Sequence, residues 1–375
     1  TLGADDGIGI AMEMALLKAN DIEHGPIECV FTRDEETGLT GAFEMKPGFM
    51  TGDYLINLDS EDEGQLFVSC AGGVRTEATY TVDEEKLPEG FSTFNLVVKG
   101  LTGGHSGDDI NKKRANANKL LVRFLLEQSE KTDLRLCDIQ AGGLHNAIPR
   151  EAHATVAVPT TYVATFGEEL QAFVEKVRDE FSATEPELTA VIEPVAAAPT
   201  CICKEQAERL LKSLSVVHNG IFAMSQDLEG LVETSSNLAS VRKHGNQIVA
   251  TTSQRSSVAS NLEYMASVVR SAFELGGAKC VTNEGYPGWK MNPKSEILKV
   301  CVDSYKRLFG KDPLVRAIHA GLECGLFSEK YPHLDMVSFG PTLRGVHSPD
   351  ERLLIPTVQM VWDHLLDVLK NVPEK

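Results

Sequence analysis

The order of elements over residues 91–195 constrains the fold more than any other feature of this sequence. Strand-like runs at 91–98, 134–140, 151–158 and 188–195 are interleaved with helix-like runs at 113–130 and 168–181. A β-α-β-β-α-β order is the ferredoxin-like unit. A second pass nearly repeats it, with a helix over 204–217, strands near 232–242 and 247–252, a helix over 259–275 and a strand over 279–282. The two passes predict one α+β domain built from duplicated ferredoxin-like units.

The flanking sequence follows a different rhythm. After Gly7, the residues Ile10, Ala11, Met14 and Leu17 recur at helical spacing, and apolar runs at 27–32 and 54–58 read as buried strands of an α/β sheet. From Tyr286-Pro287-Gly288 onward, helix 295–309, strand 314–318, helix 322–329, strand 336–339 and helix 356–369 resume the alternation. A chain of 375 residues exceeds the usual single core. The expected organisation is therefore a discontinuous α/β domain, residues 1–75 and 287–375, interrupted by a lid domain over 76–286. Inserted lobes of this kind close over a site in the other domain.

The chemistry is carried by acids placed where strands end. Thr32-Arg33-Asp34-Glu35-Glu36-Thr37-Gly38 closes one apolar run with three consecutive acids, and Asn57-Leu58-Asp59-Ser60-Glu61 closes the other. Like charges so close repel one another unless a cation or solvent accepts them. Open α/β sheets hold ligands beyond the carboxyl ends of their strands, so the location suits a site. Asp5-Asp6, between Gly3-Ala4 and Gly7, adds a carboxylate where a helix begins. A plain helix cap is the competing reading there, and a solvated strand end at the other two.

His347-Ser348-Pro349-Asp350-Glu351 sets an imidazole in an acidic loop before the last helix. Carboxylates with histidine are the donor set of a divalent ion such as zinc, manganese or cobalt. Gly103-Gly104-His105-Ser106-Gly107 is a glycine-flanked histidine in the inserted domain, read either as a site residue or as an ordinary loop histidine. Neither the dinucleotide fingerprint nor the phosphate-cradling loop occurs.

Taken together, Gly3-Ala4-Asp5-Asp6-Gly7, the 32–38 and 55–61 acidic segments, Gly103-Gly104-His105-Ser106-Gly107, Asn146-Ala147-Ile148-Pro149-Arg150, His319-Ala320-Gly321-Leu322-Glu323-Cys324-Gly325 and His347-Ser348-Pro349-Asp350-Glu351 resemble the bacterial aminoacyl-histidine dipeptidases. These Xaa-His dipeptidases are carnosinase-like and belong with peptidase T and carboxypeptidase G among the co-catalytic zinc metallopeptidases. The resemblance implies a zinc-exopeptidase catalytic domain and two divalent ions, zinc foremost with manganese or cobalt as alternatives. It implies that Asp5 bridges the two ions, that Glu36 and His347 complete one position and that Asp59 binds the other. Glu35 would be the general base for a metal-bridged hydroxide attacking the peptide bond. His105 would polarise the scissile carbonyl, and Asn146 and Arg255 would contact substrate. The family also carries a His-x-Asp motif ahead of the bridging aspartate; Thr1 follows no such motif here, so the first part of the catalytic domain is expected to be N-terminally truncated.

Composition narrows the partners. With 36 basic against 54 acidic residues the net charge is −18, which disfavours a nucleic-acid partner. No apolar run approaches the roughly 18 residues needed to cross a bilayer. Eight scattered cysteines lack the spacing of a disulfide scaffold or a zinc knuckle and read as reduced thiols of a cytoplasmic protein. A small peptide substrate and a homodimer complete the expectation. The alternatives are a deacylase or dipeptidase of other specificity, and an inactive metal-binding fragment.

Overall fold

The computed structural model describes residues 2–35, 38–226, 228–346 and 350–373. The chain divides into two compact units, one of Thr1–Gly72, Gln226–Leu231 and Tyr286–Lys375, the other of Gly73–Ser225 and Val232–Gly285.

The first unit holds a four-stranded sheet in the order Tyr54–Asn57, Asp335–Ser338, Gln65–Cys70, Leu314–Ile318. The first pair is parallel, with Leu55 opposite Met336 and Ile56 opposite Val337. The last pair is also parallel, with Leu314 opposite Gln65. Alternation along a strand sends neighbouring side chains to opposite faces. Val337 accordingly joins a core with Met12, Leu16, Ile297, Cys301, Val361 and Leu365, from helices Ala4–Lys18, Glu296–Phe309 and Ile355–Asn371. Met336 joins a separate core with Ala42, Cys324, Leu326 and Phe327, from helices Thr40–Glu44 and Glu323–Lys330. The sheet is thus covered on both faces, the α/β layering expected from the run-on apolar strands.

Helix Glu296–Phe309 shows how locally these elements are specified. Ser295 accepts a hydrogen bond from the Leu298 amide at 3.0 Å, and Gly310 ends the helix in the left-handed conformation. Asp335 on the neighbouring strand adds a carboxylate that accepts from the Glu296 and Ile297 amides at 2.7 and 3.1 Å. The anion sits where the helix dipole favours it.

One expected element does not form. Residues 27–32, read as a buried strand, pair with no strand among the described residues. Apolar, β-branched sequence creates the propensity, but a strand exists only where a neighbour supplies the ladder. The acids after residue 32 therefore follow an irregular segment, whereas Asp59 does stand just beyond strand Tyr54–Asn57.

In the second unit the main sheet runs Thr189–Pro194, Phe91–Lys99, Ala152–Pro159, Arg135–Gly142, Val232–His244, Gln247–Ser256, Gly72–Thr81, Lys279–Thr282. The first four strands are one ferredoxin-like unit. The last four are its repeat, and their missing first strand is Gly72–Thr81, contributed from before the first copy begins. The copies meet where Arg135–Gly142 pairs antiparallel with Val232–His244. Four helices, Ala117–Lys131, Val163–Glu180, Lys204–Val216 and Ala259–Leu275, supply Phe124, Phe166, Leu210, Met265 and Phe273 to one continuous core. Helix Ala117–Lys131 begins later than its periodicity suggests, because Asn116 accepts from the Asn118 and Lys119 amides and fixes the start there.

No helix among the described residues is long and apolar enough to cross a membrane. All eight cysteines carry free thiols.

Candidate active site

In the first unit the chain enters helix Ala4–Lys18 through a distorted turn. Gly3 is left-handed at φ 75°, and Asp5 (φ −94°, ψ 103°) and Asp6 (φ −107°, ψ 44°) depart from helical geometry, joined by a cis peptide bond. The two aspartates then divide the labour. Asp6 performs the capping, accepting from the Gly9 amide at 3.1 Å. Gly9 permits this: a Cβ there would lie 2.3 Å from Asp6 Oδ2. Asp5 makes no such cap, and its carboxyl instead hydrogen-bonds that of Asp59.

Asp59 is aimed by a short relay of hydroxyl and amide groups. Its amide donates to Asn57 Oδ1 at 3.2 Å, the Ser338 hydroxyl donates to the same oxygen at 2.5 Å, and Ser60 Oγ lies 2.6 Å from Ser338 Oγ. Because Asn57 and Ser338 are paired residues on adjacent strands, the sheet edge fixes the loop that carries the acid.

The electrostatics betray an accumulation of negative charge. Burial holds Asp59 well above the usual carboxylate range, reinforced by the charges of Asp6, Glu35 and Asp5. Burial also pushes Asp6 up to about 8, against the Gly9 hydrogen bond and with help from Asp5, Glu13 and Glu35. Glu13 rises to about 7 through burial. Crowded carboxylates that cannot all ionise are what a divalent cation neutralises.

The Glu35 carbonyl accepts from the Gly38 and Leu39 amides at 3.2 and 3.0 Å. The next helix, Thr40–Glu44, is held at its end by Lys330, whose ammonium donates to the carbonyls of Ala42, Phe43 and Met45 at 2.7, 2.6 and 2.9 Å. Of the expected ligands, Asp5 and Asp59 are brought together with Glu35 beside them. Glu36 and His347 lie outside the described residues, and among the described residues no group of three or more forms a closed metal-binding cluster.

The second unit gathers the other expected residues. Strand Gly104–His105 pairs antiparallel with Ala147–Ile148, placing His105 opposite Ala147, and the Ser106 amide donates to the Asn146 carbonyl at 2.8 Å. Gly104 is essential to this turn, with φ 136° and a hypothetical Cβ 2.1 Å from Arg114 Nη1. Arg255 Nη2 lies 3.4 Å from His105 Nε2. A guanidinium only donates, yet the Asp108 amide also donates to His105 Nδ1 at 3.2 Å, so donors face both ring nitrogens. Asp108 Oδ2 stands 3.3 Å from that Nδ1. Burial would raise the Asp108 carboxyl, but the His105 hydrogen bond and the charges of His105 and Arg255 hold it below its ordinary value.

Two residues escaped the sequence reading. Asp108 could have been noticed as an acid three residues after His105 inside a glycine-bounded turn. Glu351 lies within the acidic loop motif, but its partners are the amides of Gly3, Ala4 and Asp5, at a separation no local pattern reports.

The family described as Peptidase dimerisation domain matches residues 89–188. Over 375 residues the chain is 41% identical to the cytosol non-specific dipeptidase of Escherichia coli (strain K12), covering 100% of this chain and 77% of that one. The crystal structure of aminoacylhistidine dipeptidase from Vibrio alginolyticus superposes with a TM-score of 0.95 at 42% identity, covering 100% of this chain and 76% of that one. Aminopeptidase PepT from Bacillus cereus ATCC 10987 shares the fold alone, with a TM-score of 0.54 at 15% identity over 98% of this chain and 71% of that one.

Proposed function

Because the chain belongs to the aminoacylhistidine dipeptidase family of metallopeptidases, we propose that it hydrolyses dipeptides, those with a second-position histidine among them, at the acidic cluster of the first unit. The enzyme is a dipeptidase, and enzymes of this family use divalent metal ions. Two ions, zinc foremost with manganese or cobalt as alternatives, are the finer reading. The observation that carries it is the carboxyl of Asp59, held far above its ordinary range by burial and by Asp6, Glu35 and Asp5. Crowded, half-buried carboxyl oxygens fit a divalent cation.

Asp5 would bridge the ions, Glu36 and His347 would complete one position and Asp59 would serve the other. Bound there, the metals would offset the carboxylate charge and supply a water acidic enough to ionise near neutral pH. Glu35 would take a proton from the attacking water and return it to the leaving amine. In the second unit His105 would donate to the scissile carbonyl, and Arg255 and Asn146 would hold the substrate. The match over 89–188 supports a homodimer, and the naming of the Escherichia coli relative supports a cytoplasmic setting.

The test is Glu35→Gln. Turnover of an Xaa-His dipeptide should fall by about 10²–10⁴-fold while zinc binding by calorimetry stays at the parental level. Turnover near the parental rate would remove Glu35 as the base. Faster hydrolysis of acetylated amino acids than of any dipeptide would instead make the enzyme a deacylase.

A further inference from the structure

The carboxylate of Glu351 reaches across the chain to the turn that presents Asp5. Its Oε1 accepts from the amides of Ala4 and Asp5 at 2.8 and 3.1 Å, and its Oε2 accepts from Gly3 at 2.9 Å. Glu351 is buried, at 8% exposure. Three consecutive amides converging on one carboxylate form a backbone nest, made possible by the left-handed Gly3. The opening amides of a helix have no intrahelical partner, so something else must hold them. Asp6 takes the Gly9 amide, the Gly3 carbonyl takes that of Gly7, and Glu351 takes those of Gly3, Ala4 and Asp5.

Glu351 is itself fixed. Leu343–Arg344 pairs with Arg352–Leu353 in a small hairpin, and Glu351 stands at the base of its loop, four residues after His347 in sequence. The sequence motif that supplies one expected ligand thus also supplies the carboxylate that clamps the backbone of another. Both Glu351 oxygens are engaged by amides, so its task is to fix backbone.

We propose that Glu351 is a positioning residue for Asp5: by holding the amides of residues 3–5 it sets the non-helical backbone from which the Asp5 carboxyl reaches Asp59, and so preorganises the metal position. This rests on the reading of Asp5 as a metal ligand. Outer-shell partners of this kind typically change metal affinity by about 10–100-fold when removed. Glu351→Gln replaces one accepting oxygen with an amide donor facing backbone N–H groups, whereas Glu351→Asp keeps both oxygens on a shorter stem.

The experiment compares the parent chain, Glu351→Gln, Glu351→Asp and Asp5→Asn by zinc calorimetry, with hydrogen exchange of the residues 3–5 amides and thermal melting of the metal-free proteins. Glu351→Gln should weaken zinc binding about 10–100-fold and speed exchange at residues 3–5, with Glu351→Asp recovering part of both. A merely structural role would lower the melting temperature of both variants equally and leave zinc affinity of the folded protein unchanged. Parental zinc affinity in Glu351→Gln, alongside its loss in Asp5→Asn, would overturn the proposal. Parental affinity in Asp5→Asn would instead overturn the ligand reading of Asp5, and with it any effect of Glu351 on metal.

Discussion

Arg255 and His105, 150 residues apart in sequence, meet with Nη2 of one 3.4 Å from Nε2 of the other. The Asp108 amide donates to His105 Nδ1 at 3.2 Å, so the neutral ring presents Nε2–H only where the guanidinium steps aside, because arginine cannot accept a hydrogen bond. A substrate carboxylate that draws Arg255 away would free Nε2 for a carbonyl. The two residues should therefore act as a unit. Arg255→Lys and His105→Asn should each lower kcat/KM on a dipeptide, and the double variant should lose less than the product, with a coupling of about 0.5–3 kcal/mol. Additivity within the error of the kinetics would show that the contact has no catalytic consequence.

Lys119 ties the two ferredoxin-like copies together. Standing on helix Ala117–Lys131, it donates to the carbonyls of Leu214, Ser215 and Val217 at 2.9, 2.6 and 2.9 Å, at the end of helix Lys204–Val216. Burial pushes its ammonium down to about 8. Lys119→Met keeps the stem's volume but strands three carbonyls, at a cost of about 1–3 kcal/mol. Urea unfolding followed by circular dichroism should show that loss; an unchanged midpoint would mean that water replaces the ammonium fully.

Gly9→Ala weighs helix propensity against a close approach. Alanine in a helix interior gains about 0.5–1 kcal/mol over glycine. Its Cβ would sit 2.3 Å from Asp6 Oδ2, displacing the carboxyl from the Gly9 amide. Overpacking of this kind costs about 1–3 kcal/mol, and losing the cap costs roughly 1 more. The net expectation is a lower melting temperature in calorimetry, and a higher one would show that Asp6 moves without penalty.

Acid should draw a destabilising contribution from two buried histidines, opposed over the same fall in pH by the raised carboxyls of Asp6 and Glu13. Burial depresses His364, against its Nε2 hydrogen bond to the Cys301 carbonyl at 2.9 Å, and burial likewise depresses His218. The unfolded chain then binds protons that the folded one refuses. This contribution to stability is complete above the ordinary histidine value of about 6.5 and is lost as pH falls toward the lower folded values. Each such group can tilt stability by at most about 1.4 kcal/mol per pH unit. His364→Gln, whose amide can still donate to Cys301, should gain stability relative to the parent as pH falls from about 6.5 to 5 in denaturant titrations. An unaltered slope would assign the acid limb to other groups.

Much of the fold was legible because it rests on short-range repetition. The helices at 204–217 and 259–275 and the strand at 279–282 follow from the spacing of apolar residues, and Lys204–Val216, Ala259–Leu275 and Lys279–Thr282 are observed. Residues 27–32 show the limit of the same signal, since propensity for a strand does not create its neighbour. At the site, the grouping of Asp5, Glu35 and Asp59 came from their order along the chain and its resemblance to a family. The roles of Asp108 and Glu351 had no counterpart in that order, and the cap that Asp5-Asp6 could form falls to Asp6 alone.

The sequence by itself determined the two ferredoxin-like passes, the α/β segments around them and which acids stand at the ends of apolar runs, because periodicity and punctuation are local properties. Tertiary structure alone decided that Gly72–Thr81 supplies the first strand of the second copy, that Asp6 caps while Asp5 turns to Asp59, and that Glu351 holds the amides of residues 3–5. Hydrogen bonds between residues hundreds of positions apart leave no spacing to read. They arise only when burial forces each amide and carboxylate to find a partner in place of water.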